Sequence, residues 1–236
     1  MEQSMMAEPA APAAAPSGLS LRGLWEVFYK PSEFFAHIKN HPRVLIPWIL
    51  AILATTLTVY LVADFMVELQ REALLNRPNV RPEMVPPAEQ MKPWMYVGVA
   101  FFALLPLVTA AIAMFWGNFV FGGSAKFSQI LSVMLYGFWV YMVGGVIQSL
   151  MAVAKGSIKA SLSLAALVPN RPVDDIVYVA LSKISVFQIW ELIVVGIGLS
   201  VIYGFSRNKG YLVAVLSVGL MPLLNIVSVA IQKALS

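Results

Sequence analysis

"FQIWELIVVGIGLSVIYG", residues 187–204, decides how this chain is read. It is apolar almost throughout, and at 1.5 Å per residue a helix of this length covers about 27 Å, close to the hydrocarbon thickness of a bilayer. A lone strand would leave its backbone groups unpaired in lipid, so the stretch is expected to be a membrane-spanning helix. It also holds one ionisable residue, Glu191. A charge at the bilayer centre costs about 2.5 kcal/mol or more, which makes such a residue a functional candidate by default. With the span starting at Ile184, Glu191 lies about 10 Å deep. With Phe187 and Trp190 marking the interface, it lies much shallower, within reach of headgroups.

Working outward, the same pattern recurs. Val44–Val62, Trp94–Phe121, Ile130–Ala154, Ile184–Gly204 and Tyr211–Ile231 are uncharged or nearly so and apolar, and each is long enough to span. Of 236 residues, 59% are hydrophobic and 12% charged, against about 25% charged in a soluble domain. The expected fold is an all-α polytopic integral membrane protein with five transmembrane helices (44–62, 94–121, 130–154, 184–204 and 211–231), preceded by short amphipathic interfacial helices. The first apolar run begins too late for a secretory signal, so span 1 is expected to stay in the mature chain. The absence of cysteine excludes disulfides and thiolate metal sites. The net charge of +4 gives no reason to invoke nucleic acid.

Residues 1–18 are Ala/Pro-rich and have nothing to bury, which predicts a disordered tail. Residues 19–43 form an amphipathic segment. Leu21, Leu24, Trp25 and Phe28 fall at helical spacing. Pro31 then stops that helix, and Ser32 caps a second one carrying Phe34 and Phe35. Aromatics opposite Lys and Arg suit a membrane-surface element that meets lipid or a partner. The alternative is that both helices pack on the bundle's own end. Residues 44–236 form the membrane domain.

Between spans 1 and 2, "DFMVELQREALLN" (64–76) extends the first helix out of the bilayer before Pro78, Pro82, Pro86, Pro87 and Pro93 prevent a long regular helix. "ASLSLAALV" (160–168) is too short to span, and Asp174 is placed to cap "DDIVYVALSK" (174–183). Short links predict antiparallel hairpins for spans 2–3 and 4–5. Raw basic totals on the two sides differ little, whereas the basic flank of span 1 favours an inside N-terminus.

Parts for catalysis are missing. His37 and His41 flank a helix end before Pro42 with no glutamate between them, so polar surface is the better reading than metal. "GIGLSV" (196–201) mimics half of a dinucleotide fingerprint but follows no strand. No cofactor is expected. Gly196, Ser200 and Gly204 form a stripe of small residues on span 4, with Ala113 and Gly117 on span 2 and Gly137, Gly144 and Gly145 on span 3. Such stripes serve close helix packing, within one molecule or across a dimer. Pro106 and Pro222 are expected to kink spans 2 and 5.

Two groups of residues resemble a known family. "FYKPSEFFAHIKNHPRVLIPWIL" (28–50) resembles the start of bacterial members of the Yip (Ypt/Rab-interacting protein) family. "FGGSAKFSQILSVMLYG" (121–137) is similar to that family's Gly-Gly hairpin before span 3, and 187–204 to its F-x-x-W…G-x-G span 4. The resemblance covers roughly residues 24–231. It implies five helices, a cytoplasmic N-terminus, the bacterial cytoplasmic membrane and no enzymatic chemistry. Eukaryotic relatives carry an Asp-Leu-Tyr-Gly-Pro-type signature where this chain has "VFYKP" (27–31), so Rab binding is not carried over.

Two functional readings follow. The first is a non-enzymatic scaffold or adaptor working through residues 20–43 and the inner loops, its partners the bilayer and either other membrane proteins or a second copy of the chain. The second is a small transporter or channel with a polar site of Glu191, Gln188, Gln148 and Asn225. A polar path to Glu191 would separate them.

Overall fold

Each apolar stretch becomes helical, because only a helix satisfies its own backbone in lipid. The computed structural model describes residues 22–76, 80–157, 159, 161–173 and 175–235. Leu21, the Ala/Pro-rich tail and Asp174 lie outside the described residues. Two short helices, α1 (Arg22–Tyr29) and α2 (Pro31–Ile38), precede the membrane helices. α2 starts at Pro31, with Lys30 rather than Ser32 at its N-cap. Proline fits the first helical position because its missing N–H would have no intrahelical partner there.

α3 (Leu45–Leu75) has 31 residues, about 46 Å at the usual rise. That exceeds the hydrocarbon thickness, and Asp64, Glu68, Arg71 and Glu72 all fall in its C-terminal part. There Arg71 pairs with Glu68 at 3.5 Å, and Lys92 of the next helix pairs with Asp64. α4 (Ala88–Met114) continues into a π-helical turn, Phe115–Val120. Pro106 sits inside α4, and the carbonyl three residues before it, on Ala103, accepts from Trp48 Nε1 of α3 at 2.8 Å. A neighbouring helix thus serves backbone that a proline disturbs.

α5 (Phe127–Lys155) is the hub. Two thirds of its most apolar stretch is buried (67%), against 17% for the first and last spans. It packs on α3, α4 and α7 and touches α1. After α5, Leu164 N donates to Ile184 O at 3.0 Å and Val186 N to Leu162 O at 3.3 Å, pinning the long link to the start of α7. α6 (Ile176–Ser182) is capped by Asp175, whose carboxylate accepts from Val177 N (2.9 Å) and Tyr178 N (3.2 Å); the capping residue is the second aspartate, not the first. α7 (Val186–Tyr203) starts on a Ser185 cap and ends at Gly204, where φ is +71°.

The fifth apolar stretch is not one kinked helix. It divides into α8 (Arg207–Ser217) and α9 (Leu220–Leu235). Pro222 has no N–H for the carbonyl of Val218, and its ring crowds that carbonyl. The break at Val218–Gly219 falls there. Taken together the pair makes the fifth of five stretches able to cross a membrane among the described residues, and the protein is an integral membrane protein.

The main core joins Val27, Phe34 and Phe35 to Ile130, Val133 and Met134 of α5 and to Val194, Val195 and Leu199 of α7. Close approach is built from glycine. A Cβ on Gly137 would overlap Val195, one on Gly144 would overlap Phe187, and one on Gly210 would strike the carbonyl of Gly196.

Candidate functional site

Glu191 lies in the sixth position of α7, on the face turned to α5. Gly137 of α5 lies opposite it: a Cβ there would make ordinary contact with Glu191 Cγ at 3.6 Å, while overlapping Val195. Glu191 is only 7% exposed. No hydrogen bond or ion pair joins its carboxylate to another described residue. It faces a cavity of about 230 Å³ lined from α4 (Phe102, Leu105, Pro106, Thr109), α5 (Met134, Phe138, Tyr141), Lys183, Gln188, Val218 and α9 (Met221, Pro222, Asn225).

A second cavity, of about 320 Å³, shares Tyr141, Lys183 and Gln188 with the first and adds Thr58, Gln148 and Ser149. Gln188 and Asn225 therefore share Glu191's cavity, while Gln148 lies in the adjoining one. Thr58 Oγ1 is buried without a partner. The two cavities sit toward the end of the bundle that carries the α5–α7 link. On the other side of Met134, the bundle closes: Phe35, Ile130, Val133, Val194, Val195 and Leu199 are each under 2% exposed.

Lys183 was not singled out by the sequence because it lies in a link eight residues before Glu191. It is half-buried, and burial holds its ammonium below the ordinary lysine pKa. Its one sequence signal is position: it is the last basic residue before an apolar span, where a lysine stem lies along apolar surface and its head reaches outward.

The opposite end carries the second candidate surface. Leu24, Phe34 and Phe35 are 6%, 4% and 0% exposed, so they are core and not lipid or partner contacts. Phe34 packs edge-on to Tyr136 of α5 with ring centroids 4.5 Å apart. The pattern of α1 admits two faces, and the face bearing Leu24 and Val27 turns inward. Phe28 is half-buried, and Trp25 (66%) and Tyr29 (64%) remain exposed. The segment is pinned by polar contacts as well. Lys39 Nζ donates to Val201 O at 3.1 Å, Arg207 to Ser32 Oγ at 2.7 Å, and Gln129 Nε2 to Lys39 O at 2.7 Å. Exposed Lys30, Lys126 and Lys209 lie on this end. Lys209 Nζ stands over the rings of Phe121 (5.8 Å) and Phe205 (5.3 Å), which places the 121–126 and 204–206 links side by side.

The stripe on α7 is used within the molecule. Gly196 and Ser200 meet Tyr211 and Gly210 of α8. Gly204 instead closes the helix in the left-handed region, with open space where a Cβ would sit.

Comparison with known families matches residues 25–229 to the Yip1 domain. No curated protein and no solved structure gives a match to the chain.

Proposed function

The chain belongs to the Yip1 domain family, and from that premise we propose that it is a non-enzymatic membrane scaffold or adaptor. Its working surface is the end of the bundle carrying α1, α2 and the two short links, on the cytoplasmic side of a bacterial inner membrane. One observation carries this reading. α1 and α2 are anchored through buried Val27 and Phe35, so Trp25, Tyr29 and Lys30 stand on a fixed platform beside Lys126 and Lys209. A preordered aromatic and basic surface loses little entropy on binding. Partner contacts there are charge-complementary, with the aromatics as anchors.

Deleting the whole segment would remove core, so the test uses surface positions. A photo-crosslinking residue at position 25 or 29, in the inserted protein, is expected to give discrete protein adducts. Lys30→Glu with Lys209→Glu should abolish them at unchanged insertion. Adducts to lipid alone, or adducts indifferent to charge reversal, would refute the adaptor reading.

A second reading, transport through Glu191, has the paired cavities in its favour. They end against the closed core beyond Met134, so transport would require that core to part. Reconstituted solute flux abolished by Glu191→Gln would establish it over the adaptor.

A further inference from the structure

We propose that the cavity at Glu191 binds a zwitterionic headgroup, with a primary ammonium held by Glu191 and an anionic group held by Lys183. What carries this is a set of acceptors without a donor in a half-open cavity. The Glu191 carboxylate is buried and makes no hydrogen bond to another described residue. A buried carboxyl left this way is neutral unless a cation or donor meets it, and it takes up its charge when one does. Pro106 and Pro222 both line the cavity. Each lacks the N–H that the carbonyl four residues earlier would use in a helix. Those carbonyls belong to Phe102 and Val218, and both residues line the same cavity. An ammonium brings three donors and no acceptor, which suits this set.

A bare metal ion fits less well. Hard cations take six to eight oxygen ligands, whereas most of the wall is Phe, Leu, Met and Val. Lys183 on the same wall also repels a lone cation, and no ion pair joins it to Glu191. One acid and one base held apart in a cavity match a ligand with both charges.

The size favours a headgroup over a whole amphiphile. The cavity holds about 230 Å³, below the roughly 300–1,000 Å³ that encloses a drug-sized ligand. Acyl chains would leave between α4 and α9, which both line the cavity but take their main packing from other helices: α4 from α3, α5 and α8, α9 from α6 and α8. The same chemistry also occurs in free zwitterions, so the test separates the two sources. The inference is independent of the adaptor reading, since it concerns the other half of the bundle.

The experiment is native mass spectrometry of the purified full-length protein with equimolar phosphatidylethanolamine and phosphatidylglycerol of matched chains. The wild type should retain the ethanolamine lipid about tenfold over the glycerol lipid, as one charge-assisted hydrogen-bonded contact implies. Glu191→Gln should bring the ratio to parity. Lys183→Gln, in a link outside the spans, guards against a Glu191 variant that fails to fold. It should weaken the ethanolamine lipid about tenfold while leaving dodecylamine, which has no anionic group, unchanged. With phosphatidylethanolamine bound, displacement by free phosphoethanolamine assigns the site to soluble zwitterions, and its failure to displace assigns it to lipid. Equal adducts of both lipids on the wild type, or an unaltered preference in both variants, would overturn the proposal.

Discussion

At the scale of single residues, glycines differ according to what stands opposite them. A Cβ on Gly210 would meet the backbone of α7, which has no rotamer to escape into, whereas one on Gly98 would meet nothing within 4 Å. Gly210→Ala should destabilise the protein by roughly 1–3 kcal/mol, and Gly98→Ala should leave it unchanged or stabilise it by about 0.5 kcal/mol. Chemical denaturation in micelles measures both. Glu191→Gln should leave the protein folded and inserted, because the amide keeps the shape and the hydrogen-bonding capacity; size exclusion and thermal unfolding would check this. The inward turn of Glu191 was legible, since a lone acid in an apolar run avoids lipid. Its surroundings were not: Phe102 and Thr109 come from a distant segment, and no local spacing relates them to residue 191.

At the scale of elements, α1 and α2 keep their amphipathic pattern and turn its apolar face to the bundle. Phe35 is fully buried and Trp25 largely exposed, so Phe35→Ala should cost about 3–5 kcal/mol and Trp25→Ala about 0.5 kcal/mol or less. A lipid-facing pair of helices would give comparable, small losses in the same denaturation series. The spacing of apolar residues showed that these helices had a face to bury but not what would cover it. The division of α8 from α9 was half legible. Pro222 announced a disturbance, and whether a helix bends or stops depends on neighbours that the sequence does not order in space. At α6, the Asp175 carboxyl is held below its ordinary value, first by the backbone hydrogen bond from Tyr178 and then by those from Val177 and by Arg171. Its folded-state value is depressed, so this cap contributes fully above the unfolded carboxylate value of about 4 and is lost as pH falls through the folded one. Hydrogen-exchange protection of the Val177 and Tyr178 amides should decline over that acid range in the wild type and be largely pH-independent in Asp175→Asn.

For the whole molecule, the alternation of spans puts residues 126 and 208 at one end. Single cysteines introduced there into this cysteine-free chain should label from the same side of the membrane, and one at Glu83 from the opposite side. Labelling of 126 and 208 from different sides would overturn the topology. The number of spans was legible from length and hydropathy alone. The central place of α5 was not, because lipid and protein interior are equally apolar and a helix ringed by neighbours has the same composition as one bathed in lipid. That centrality sets a timetable. A ribosome completes α5 before any of α7 exists, and the intervening link takes on the order of seconds to synthesise at about 5–20 residues per second. During that interval, the grooves at Gly137 and Gly144 have no Val195 or Phe187 to fill them. A nascent chain arrested at residue 155 is therefore an orphan with an unfilled seam, a substrate for membrane quality control until the fourth span arrives to close it.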